Sequence, residues 1–424
     1  MIQASIQVSL FSALLAFGPP EGPSPPPSPP PEGRDRVEVS RFTLDEALAA
    51  MDEGHPLLRA GEAQVDVAKT RIRAARLWGN PQIDFDYVQG IRASSYDGVG
   101  SWLGSIGQFI EFSGAPQART RVARHELSAT RADLDTIRMN LAFDVEAAMI
   151  ELRARLDEIE VLEQNIADLE RGLAIVRARV EAGVISTYDE HRTLLALAQA
   201  KADVMQAEAA ALDAREALAL AVGPHAARLH GEPILQLQPV PAAPPLDTLL
   251  DVQLDRPDLV AAQAISDAAS ANILVARREV MPGIDLRVLA GGGQGPRQLD
   301  FGFGVTIPLP VIRRGQTAIP QARAEARAAH AYASAAQIAA EQQLVLAYQR
   351  AELLRETSEE FTSTQSLAER VTAQAELAYT NGRLEIIGLM DAYMTARDQR
   401  LRGIELAFDA RVAEVEVRRL AGKR

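Results

Sequence analysis

The feature that most constrains the fold of this 424-residue chain is an internal repeat. Two prolines and a glycine of the first half recur 201 residues later in the same order, and a second glycine recurs after 199 residues. The matched pairs are Pro56 and Pro257, Pro81 and Pro282, Gly114 and Gly315, and Gly183 and Gly382. Because proline and glycine end or bend regular structure, the two halves must break at corresponding places. The sequence therefore predicts two similar structural units.

Changes in amino-acid composition along the chain mark the boundaries of these units. The first repeat covers residues 41–222 and the second covers residues 246–424, and a proline-rich equatorial linker at residues 223–245 divides them. The amino end begins with a mostly apolar stretch of signal-peptide length that no basic residue precedes. We predict a signal peptide at residues 1–18 and a proline-rich spacer at residues 19–40, since proline fixes the backbone and removes donors.

Each unit contains one long helix between two shorter ones. In the first unit, residues 115–182 hold proline only in the first turn and one glycine, Gly172. This predicts a helix roughly 100 Å long, at about 1.5 Å per residue. Apolar residues recur along it every seven positions, the pattern of a coiled coil. The seam consists of Val145, Leu152, Ile159, Ile166, Leu173 and Val180, with Leu162, Leu169 and Val176 in its second position.

The shorter helices fit the long ones in length. Thr43 and Glu46 have the spacing of a capping box at the start of the first short helix. The two short helices of a unit together match the long one, so a long helix can pair antiparallel with two stacked short ones. The remaining predicted helices cover residues 43–78, 187–222, 247–281 and 316–381, and a last one runs from the Gly382 turn to about Leu420.

Four stretches of about ten residues alternate between apolar and polar or small side chains, which predicts β-strands. In the first, Ile83 and Phe85 alternate with Asp84 and Asp86. The strands are predicted at residues 82–92, 102–112, 283–291 and 299–309. Their length and two-faced pattern suit a transmembrane barrel, although two soluble hairpins that cap a helical rod fit the pattern equally well. Four strands cannot close a barrel in lipid, so a membrane interpretation requires several copies of the chain.

Composition excludes several classes of function. The net charge of −13 argues against nucleic-acid binding, and the absence of cysteine excludes disulfides, thiolate metal sites and a lipidated cysteine anchor. Histidines such as His125, His191 and His330 lack metal-binding spacing, and no nucleophile–base, phosphate-loop or dinucleotide motif occurs. We expect no enzyme activity, no cofactor and no metal site. No run of 18 apolar residues is present, so we expect no transmembrane helix.

In this order and spacing, the motifs resemble the TolC family of outer-membrane efflux proteins. The resemblance covers Phe42 to about Gly422 and rests on FTLDEALAAMDEGHPLL at the start of the first repeat, a proline before each first strand, and a glycine turn in each long helical hairpin. The run IPLPVIRRGQ, which closes the second hairpin, is most similar to the heavy-metal, CzcC-like branch. The lipidated cysteine that many relatives carry is missing here.

The resemblance implies a mainly α fold with β-strands. Long antiparallel coiled-coil helices would form a periplasmic α-barrel, and four strands per chain would contribute to a transmembrane β-barrel closed by a homotrimer. The partners it implies are outer-membrane lipid, a periplasmic membrane-fusion adaptor and an inner-membrane pump of the RND type. The implied function is the outer-membrane channel of a tripartite efflux system for small solutes, including metal cations.

The resemblance also assigns residues. The adaptor contacts of the family fall on the hairpin tips, here Ala182, Gly183, Val184, Ile185 and Ser186 with Asn381, Gly382, Arg383 and Leu384. The acidic rings that narrow the family's tunnel fall on Asp391, with Asp189 as the equivalent in the first repeat, while Gly388 occupies the second aspartate position. In a trimer each ring would gather three carboxylates, which raises their pKa and attracts cations.

Four charged residues on the predicted strands, Asp84, Asp86, Asp285 and Arg287, are expected to face the barrel lumen. Two other functions remain open from the sequence. One is a soluble coiled-coil scaffold that binds partners along its rods. The other is a TolC-like exit duct for type I protein secretion.

Overall fold

The computed structural model describes residues 41–90, 99–281, 283–292, 299–312 and 314–422. The predicted signal peptide and spacer lie outside these residues, as do residues 91–92 of the first predicted strand. In chain order the elements are β1 (Arg41–Phe42), α1 (Leu44–Gly54), α2 (Pro56–Ala74), β2 (Gln82–Gly90), β3 (Val99–Ile110), α3 (Ala115–Glu181), α4 (Thr187–Val222), β4 (Glu232–Pro233), α5 (Leu246–Gln253), α6 (Pro257–Arg278), β5 (Ile284–Gly292), β6 (Asp300–Thr306), α7 (Ala318–Thr380) and α8 (Ile386–Ala421).

The two repeats join in one four-stranded antiparallel sheet with the order β2-β3-β5-β6. The central pairing crosses between the repeats, with Ile106 opposite Val288 and Ile110 opposite Ile284. Strands β2 and β6 are the outer strands, and neither has a second neighbour in the described part of the chain. The sheet therefore has two open edges.

The helices form a wall of four columns. Helices α2 and α4 both pack along α3, so one long helix does pair with two shorter ones. On its other side α3 packs against α6 and α8, and α7 packs beyond these two. Columns α2/α4 and α7 are therefore the two lateral edges of the wall, while α3 is enclosed on both sides.

The predicted helices 43–78 and 247–281 are each divided in two, which corrects the prediction. The breaks fall at His55 and Arg256, the residues before Pro56 and Pro257, and both have extended backbone with ψ near 130°. Proline cannot donate a backbone hydrogen bond, and it disfavours helical geometry in the residue before it. A proline at the first position instead starts a new helix, so each break yields a second helix start.

The core lies along the seam of α3. Val145, Leu152 and Val176 are fully buried, and Ile159 and Ile166 are partly buried. At the end of α2 that lies farther from the four-stranded sheet, Phe42 on β1 packs with Met51 and Val145. Strand β1 also pairs in parallel with β4 of the equatorial linker. The predicted capping box is present, because Thr43 and Glu46 each accept a hydrogen bond from the other's backbone N–H.

One helical stretch in the described residues, Leu246–Arg278, has the length and apolar composition that could cross a membrane. This qualifies the sequence expectation, which considered only uninterrupted apolar runs. The stretch is divided into α5 and α6 at the break before Pro257, and α6 packs along α3 and α7. Only 28% of its most apolar 18 residues are buried within the fold.

Candidate channel wall and helical tips

One face of the sheet is apolar and exposed. Cross-strand partners point to the same face, so the register assigns Ile83 with Ile106, Tyr87 with Trp102, and Val288 with Phe303 to one side. Exposure is high on this side, reaching 78% at Ile83 and 89% at Phe303. Its other exposed apolar members are Phe85, Leu286, Phe301 and Val305. A contiguous exposed apolar surface of this kind marks a site of contact with a membrane or with another protein.

The opposite face carries the charged side chains that the sequence analysis assigned to a lumen. Arg287 on β5 donates through Nη2 to Asp285 Oδ2 at 2.8 Å, and its Nη1 lies 3.8 Å from Asp84 Oδ2 across the sheet. Asp86 lies two residues beyond Asp84 and is exposed on the same face. The guanidinium crosses β3 at Gly107, where an added Cβ would lie 3.1 Å from Arg287 Cγ. The structure thus brings together three of the four predicted residues.

The two hairpin tips have the same backbone geometry. Gly183 (φ 69°) and Gly382 (φ 70°) follow the ends of α3 and α7 in the left-handed region that favours glycine. At the first tip, Gly183 N donates to Val180 O and Val184 N donates to Arg179 O, both at 2.9 Å. The second tip repeats both bonds, so each is a Schellman turn.

The predicted tip residues are largely accessible. Seven of the nine are exposed, whereas Ile185 and Leu384 are half-buried and pack on the cluster around Leu389 and Tyr393. The two tips differ in how the helix that follows each of them is capped. The Ser186 hydroxyl accepts from Tyr188 N at the start of α4, whereas Glu385 at the start of α8 makes no side-chain cap.

Next to the tips, a cation–aromatic contact joins the helical hairpin of α3 and α4 to that of α7 and α8. The Arg179 guanidinium lies 4.9 Å from the centre of the Tyr379 ring, and its Nη1 donates to the Tyr379 carbonyl at 3.0 Å. Tyr379 is buried, and its hydroxyl has no hydrogen-bond partner among the described residues. Burial raises the pKa of this phenol, and the nearby Arg179 opposes that rise.

A polar network lies farther from the tips. Tyr393 on α8 donates its hydroxyl to Glu376 Oε1 on α7 at 2.9 Å, and Arg171 on α3 lies 3.6 Å from the same oxygen. Arg171 also donates to the buried Asp168 at 2.6 Å. The ring of Tyr393 fits against Gly172, where an added Cβ would lie 3.1 Å from it. Burial and the bond to Glu376 raise the pKa of Tyr393.

The two gate candidates occupy different surroundings. Asp189 lies in the first turn of α4 and is half-buried, near Tyr379, whose pKa its charge helps to raise. Asp391 is exposed on α8. Neither takes part in an ion pair within the described ranges. At Gly388, an added Cβ would lie 2.5 Å from the Leu384 side chain, so Leu384 fills the space beside this glycine.

The geometry described above agrees with a family comparison. A family model for outer membrane efflux proteins matches residues 47–224 and 249–423, most of the chain and both repeats. The chain belongs to the outer membrane efflux protein family. This confirms the predicted family, and with it an outer-membrane efflux channel with periplasmic helices. The family and the fold are those of a transport protein.

Similar curated proteins include two metal-resistance proteins. The chain is 24% identical to the cobalt-zinc-cadmium resistance protein CzcC of Cupriavidus metallidurans, over 92% of each chain. It is 26% identical to the pyoverdine export outer membrane protein OpmQ of Pseudomonas putida, over 73% of this chain and 66% of that protein. It is 28% identical to the nickel-cobalt-cadmium resistance protein NccC of Alcaligenes xylosoxydans, over 65% and 62%.

Solved structures have the same fold at low identity. A membrane protein from Pseudomonas aeruginosa aligns with a TM-score of 0.78 and 19% identity over 90% of both chains. CusC aligns with a TM-score of 0.75 and 15% identity over 93% of this chain and 95% of that chain. The open-state MtrE channel of Neisseria gonorrhoeae aligns at 0.70 and 18%, over 90% and 89%. The predicted mainly α fold with strands is confirmed.

Sequence reasoning missed the residues that couple the hairpins, Arg179, Tyr379, Arg171 and Tyr393. Their contacts join positions about 200 residues apart, and no local pattern marks them. One signal was available. Gly172 interrupts an otherwise continuous coiled-coil helix, and a glycine there costs helix stability, which indicates a close neighbour.

The two buried tyrosines provide a matched test of this coupling. We expect Tyr393→Phe to lower the free energy of unfolding by about 1.5–3 kcal/mol, because a hydrogen bond to a charged carboxylate is lost. Tyr379→Phe should leave stability unchanged or raise it, since its hydroxyl is buried without a partner. Thermal denaturation of the purified protein in detergent, followed by circular dichroism, compares the two. Equal losses in both variants would contradict the assignment.

Proposed function

We propose that three copies of this chain form the exit channel of a tripartite efflux system that exports metal cations. The observation that carries the proposal is the sheet, which combines an exposed apolar face, a charged opposite face and two open edges. In lipid every backbone donor and acceptor needs a protein partner, so the edges of β2 and β6 must be covered. Pairing β6 of one copy with β2 of the next keeps the strands antiparallel.

The strand number requires at least two copies, and the resemblance to the family favours three. Each chain contributes four strands, and single-chain barrels of the outer membrane have eight or more. Three copies give twelve strands around a lumen lined by Asp84, Asp86, Asp285 and Arg287. A head-to-tail contact that repeats around an axis closes into a ring, which is the interface type that two different open edges require.

The helical wall supports the same arrangement. Its two edge columns leave apolar side chains exposed, whereas α3 is enclosed. On α4 these are Tyr188, Leu195, Met205, Leu212 and Leu220, and on α7 they are Tyr332, Ile338, Leu346, Leu353, Leu367 and Val371. Contact between α7 of one copy and α4 of the next would cover both rows. The same ring would then close the helices into a tunnel.

The tips are the proposed contact for a periplasmic membrane-fusion adaptor, which links the channel to an inner-membrane pump of the RND type. Their residues, from Ala182 to Ser186 and from Asn381 to Leu384, lie at the free ends of the hairpins, and all but Ile185 and Leu384 are exposed. The proposed gate lies beside them, at Asp189 and Asp391. In a trimer each position gathers three carboxylates, which favour cations.

The cargo class rests on the relatives. The chain aligns with CzcC along 92% of both proteins, whereas the pyoverdine exporter OpmQ is matched over 66% of its length. Divalent metal cations are therefore the proposed cargo. They would enter through the pump and adaptor, and no metal ligand set in the channel is required.

The proposal is tested by assembly, location and conductance together. The purified protein should run as a trimer in detergent, fractionate with the outer membrane, and form channels in a planar bilayer. A heat-dissociated sample is the control. A strain that lacks the chain should become sensitive to cobalt, zinc and cadmium salts. A monomer in detergent or recovery in the soluble fraction would instead favour a coiled-coil scaffold, and unchanged metal tolerance with lost protein secretion would favour an exit duct.

Removal of the gate carboxylate should change permeation. We expect Asp391→Ala to raise single-channel conductance and weaken block by divalent cations, because three negative charges leave the constriction. The control is Asp398→Ala, an exposed carboxylate farther along α8 that pairs with Arg397. Single-channel recording in a planar bilayer distinguishes them. Unchanged conductance and block in the Asp391 variant would remove this residue from the gate.

Distortion of a tip should weaken adaptor binding. Gly183→Pro is incompatible with φ of 69°, since proline holds φ near −65°, so the Schellman turn must rearrange. We expect a loss of adaptor capture of roughly tenfold or more, equivalent to about 1.4 kcal/mol, while trimers persist. Gly183→Asn is the control, because asparagine tolerates the left-handed region. Equal capture by both variants in a pull-down would contradict the tip assignment.

A further inference from the structure

The connector between β6 and α7, residues 307–312, combines unusual exposure with apolar composition. Leu309 is 76% exposed and Ile312 is 82% exposed, and Ile307 and Val311 are also exposed. Ile307, Leu309 and Val311 follow Phe301, Phe303 and Val305 at alternate positions of the sequence, past the last paired residue of the strand, Thr306, and Ile312 comes directly after Val311. Arg314 lies two residues past the end of this segment and is exposed.

The backbone of the connector presents few polar groups that need water. Pro308 and Pro310 have no N–H, and Val311 N donates to Leu309 O at 2.8 Å. The carbonyls of Val311 and Ile312 accept from the side chains of Arg314 and Gln316, at 2.9 and 2.7 Å. Irregular backbone is costly in lipid because of unpaired groups, and here that cost is reduced locally.

The strands of the sheet differ in length. β3 has 12 residues, enough for roughly 30 Å of tilted strand to cross an apolar band about 25 Å tall. β6 has only 7 residues, which corresponds to about 23 Å along the strand and less along the membrane normal. At the helical end of the sheet β6 ends level with its neighbours, since Thr306 pairs with Asp285, and Asp285 pairs with Phe109, one residue before the end of β3. The residues from Ile307 onwards therefore lie beyond the paired part of the sheet.

In the first repeat, polar residues occupy two of the positions that correspond to the connector. At the offset of 201, Leu309 corresponds to Gln108 and Ile312 corresponds to Glu111. Gln108 donates to Gly79 O at 2.9 Å, and Glu111 pairs with Arg119 at 2.6 Å. Leu309 and Ile312 are thus apolar only in the second repeat, whereas Ile307 and Val311 correspond to Ile106 and Ile110.

We propose that the connector is a membrane anchor, in which Leu309, Val311 and Ile312 enter the periplasmic leaflet of the outer membrane and Arg314 binds phospholipid phosphate. The inference rests on the proposed function for the placement of the sheet in the membrane. Continuity with the apolar face of the sheet favours lipid as the occupant over a second copy of the chain, and the cationic residue beside the apolar row matches the anionic headgroups.

The absence of cysteine allows a direct test, because single-cysteine variants need no further change. Leu309→Cys and Ile312→Cys, each with a nitroxide label, are reconstituted in vesicles of phosphatidylethanolamine and phosphatidylglycerol. Electron paramagnetic resonance measures collision of the label with oxygen, which concentrates in lipid, and with a water-soluble nickel chelate. Ala324→Cys, exposed on α7, is the control for water.

We expect both connector labels to favour oxygen severalfold over nickel relative to the Ala324 label. Addition of Arg314→Gln should move the labels toward water, whereas Arg314→Lys should not. Nickel access equal to the control at both sites would overturn the anchor. Labels that are immobilised and reached by neither reagent would also overturn it, because a second copy would then cover the connector.

The same samples separate this proposal from the proposed function. Trimer formation and channel conductance are measured on each labelled variant. If trimers conduct while the labels report water, only the anchor is wrong. If neither site yields trimers although the unlabelled chain does, the connector is a subunit contact and the anchor is also wrong.

Discussion

The unpaired backbone edges of β2 and β6 determine most of what this molecule must do. A sheet with one apolar and one charged face can be covered on the first by lipid and on the second by water, but its edges can be covered only by more backbone. Among the residues that the structure describes, no further strand covers these edges, because β2, β3, β5 and β6 already form one open sheet. Assembly is therefore part of folding in the proposed channel.

The edges of the helical wall also need cover, but for their side chains and not for their backbone. Helices satisfy their own backbone, so α4 and α7 can remain at the edges with only side chains uncovered. The contacts of Arg179 and Arg171 then fix the second hairpin to the first inside each copy. The network around Tyr393 is more completely paired than the contact at Tyr379, whose hydroxyl lacks a partner in the described residues. The hairpins are thus held less firmly at their ends than farther along.

Much of this was accessible from the sequence, because it depends on local patterns. Alternation located the strands, heptads located the seam of α3, and the glycines located both turns, where the left-handed backbone leaves little choice of residue. The splits before Pro56 and Pro257 were missed because proline is tolerated in the first turn of a helix, so the residues on each side still suggest helix. The pairing of β3 with β5 and the reach of Arg287 across Gly107 depend on contacts far apart in the chain, which no local pattern contains.

The join between β3 and β5 also bears on how such a chain arises. Each repeat alone holds one β-hairpin, one long helix and one glycine turn, so six half-length chains could build the proposed twelve-stranded ring with sixfold symmetry. Fusion of two halves into one chain makes three of the six contacts between half-units intramolecular, so only three contacts still depend on association. After fusion, equivalent positions of the two halves no longer have to carry the same residue, so Gln108 and Leu309, or Ser186 and Glu385, can differ. Duplication thereby converts a uniform ring into one with alternating sectors that can specialise separately.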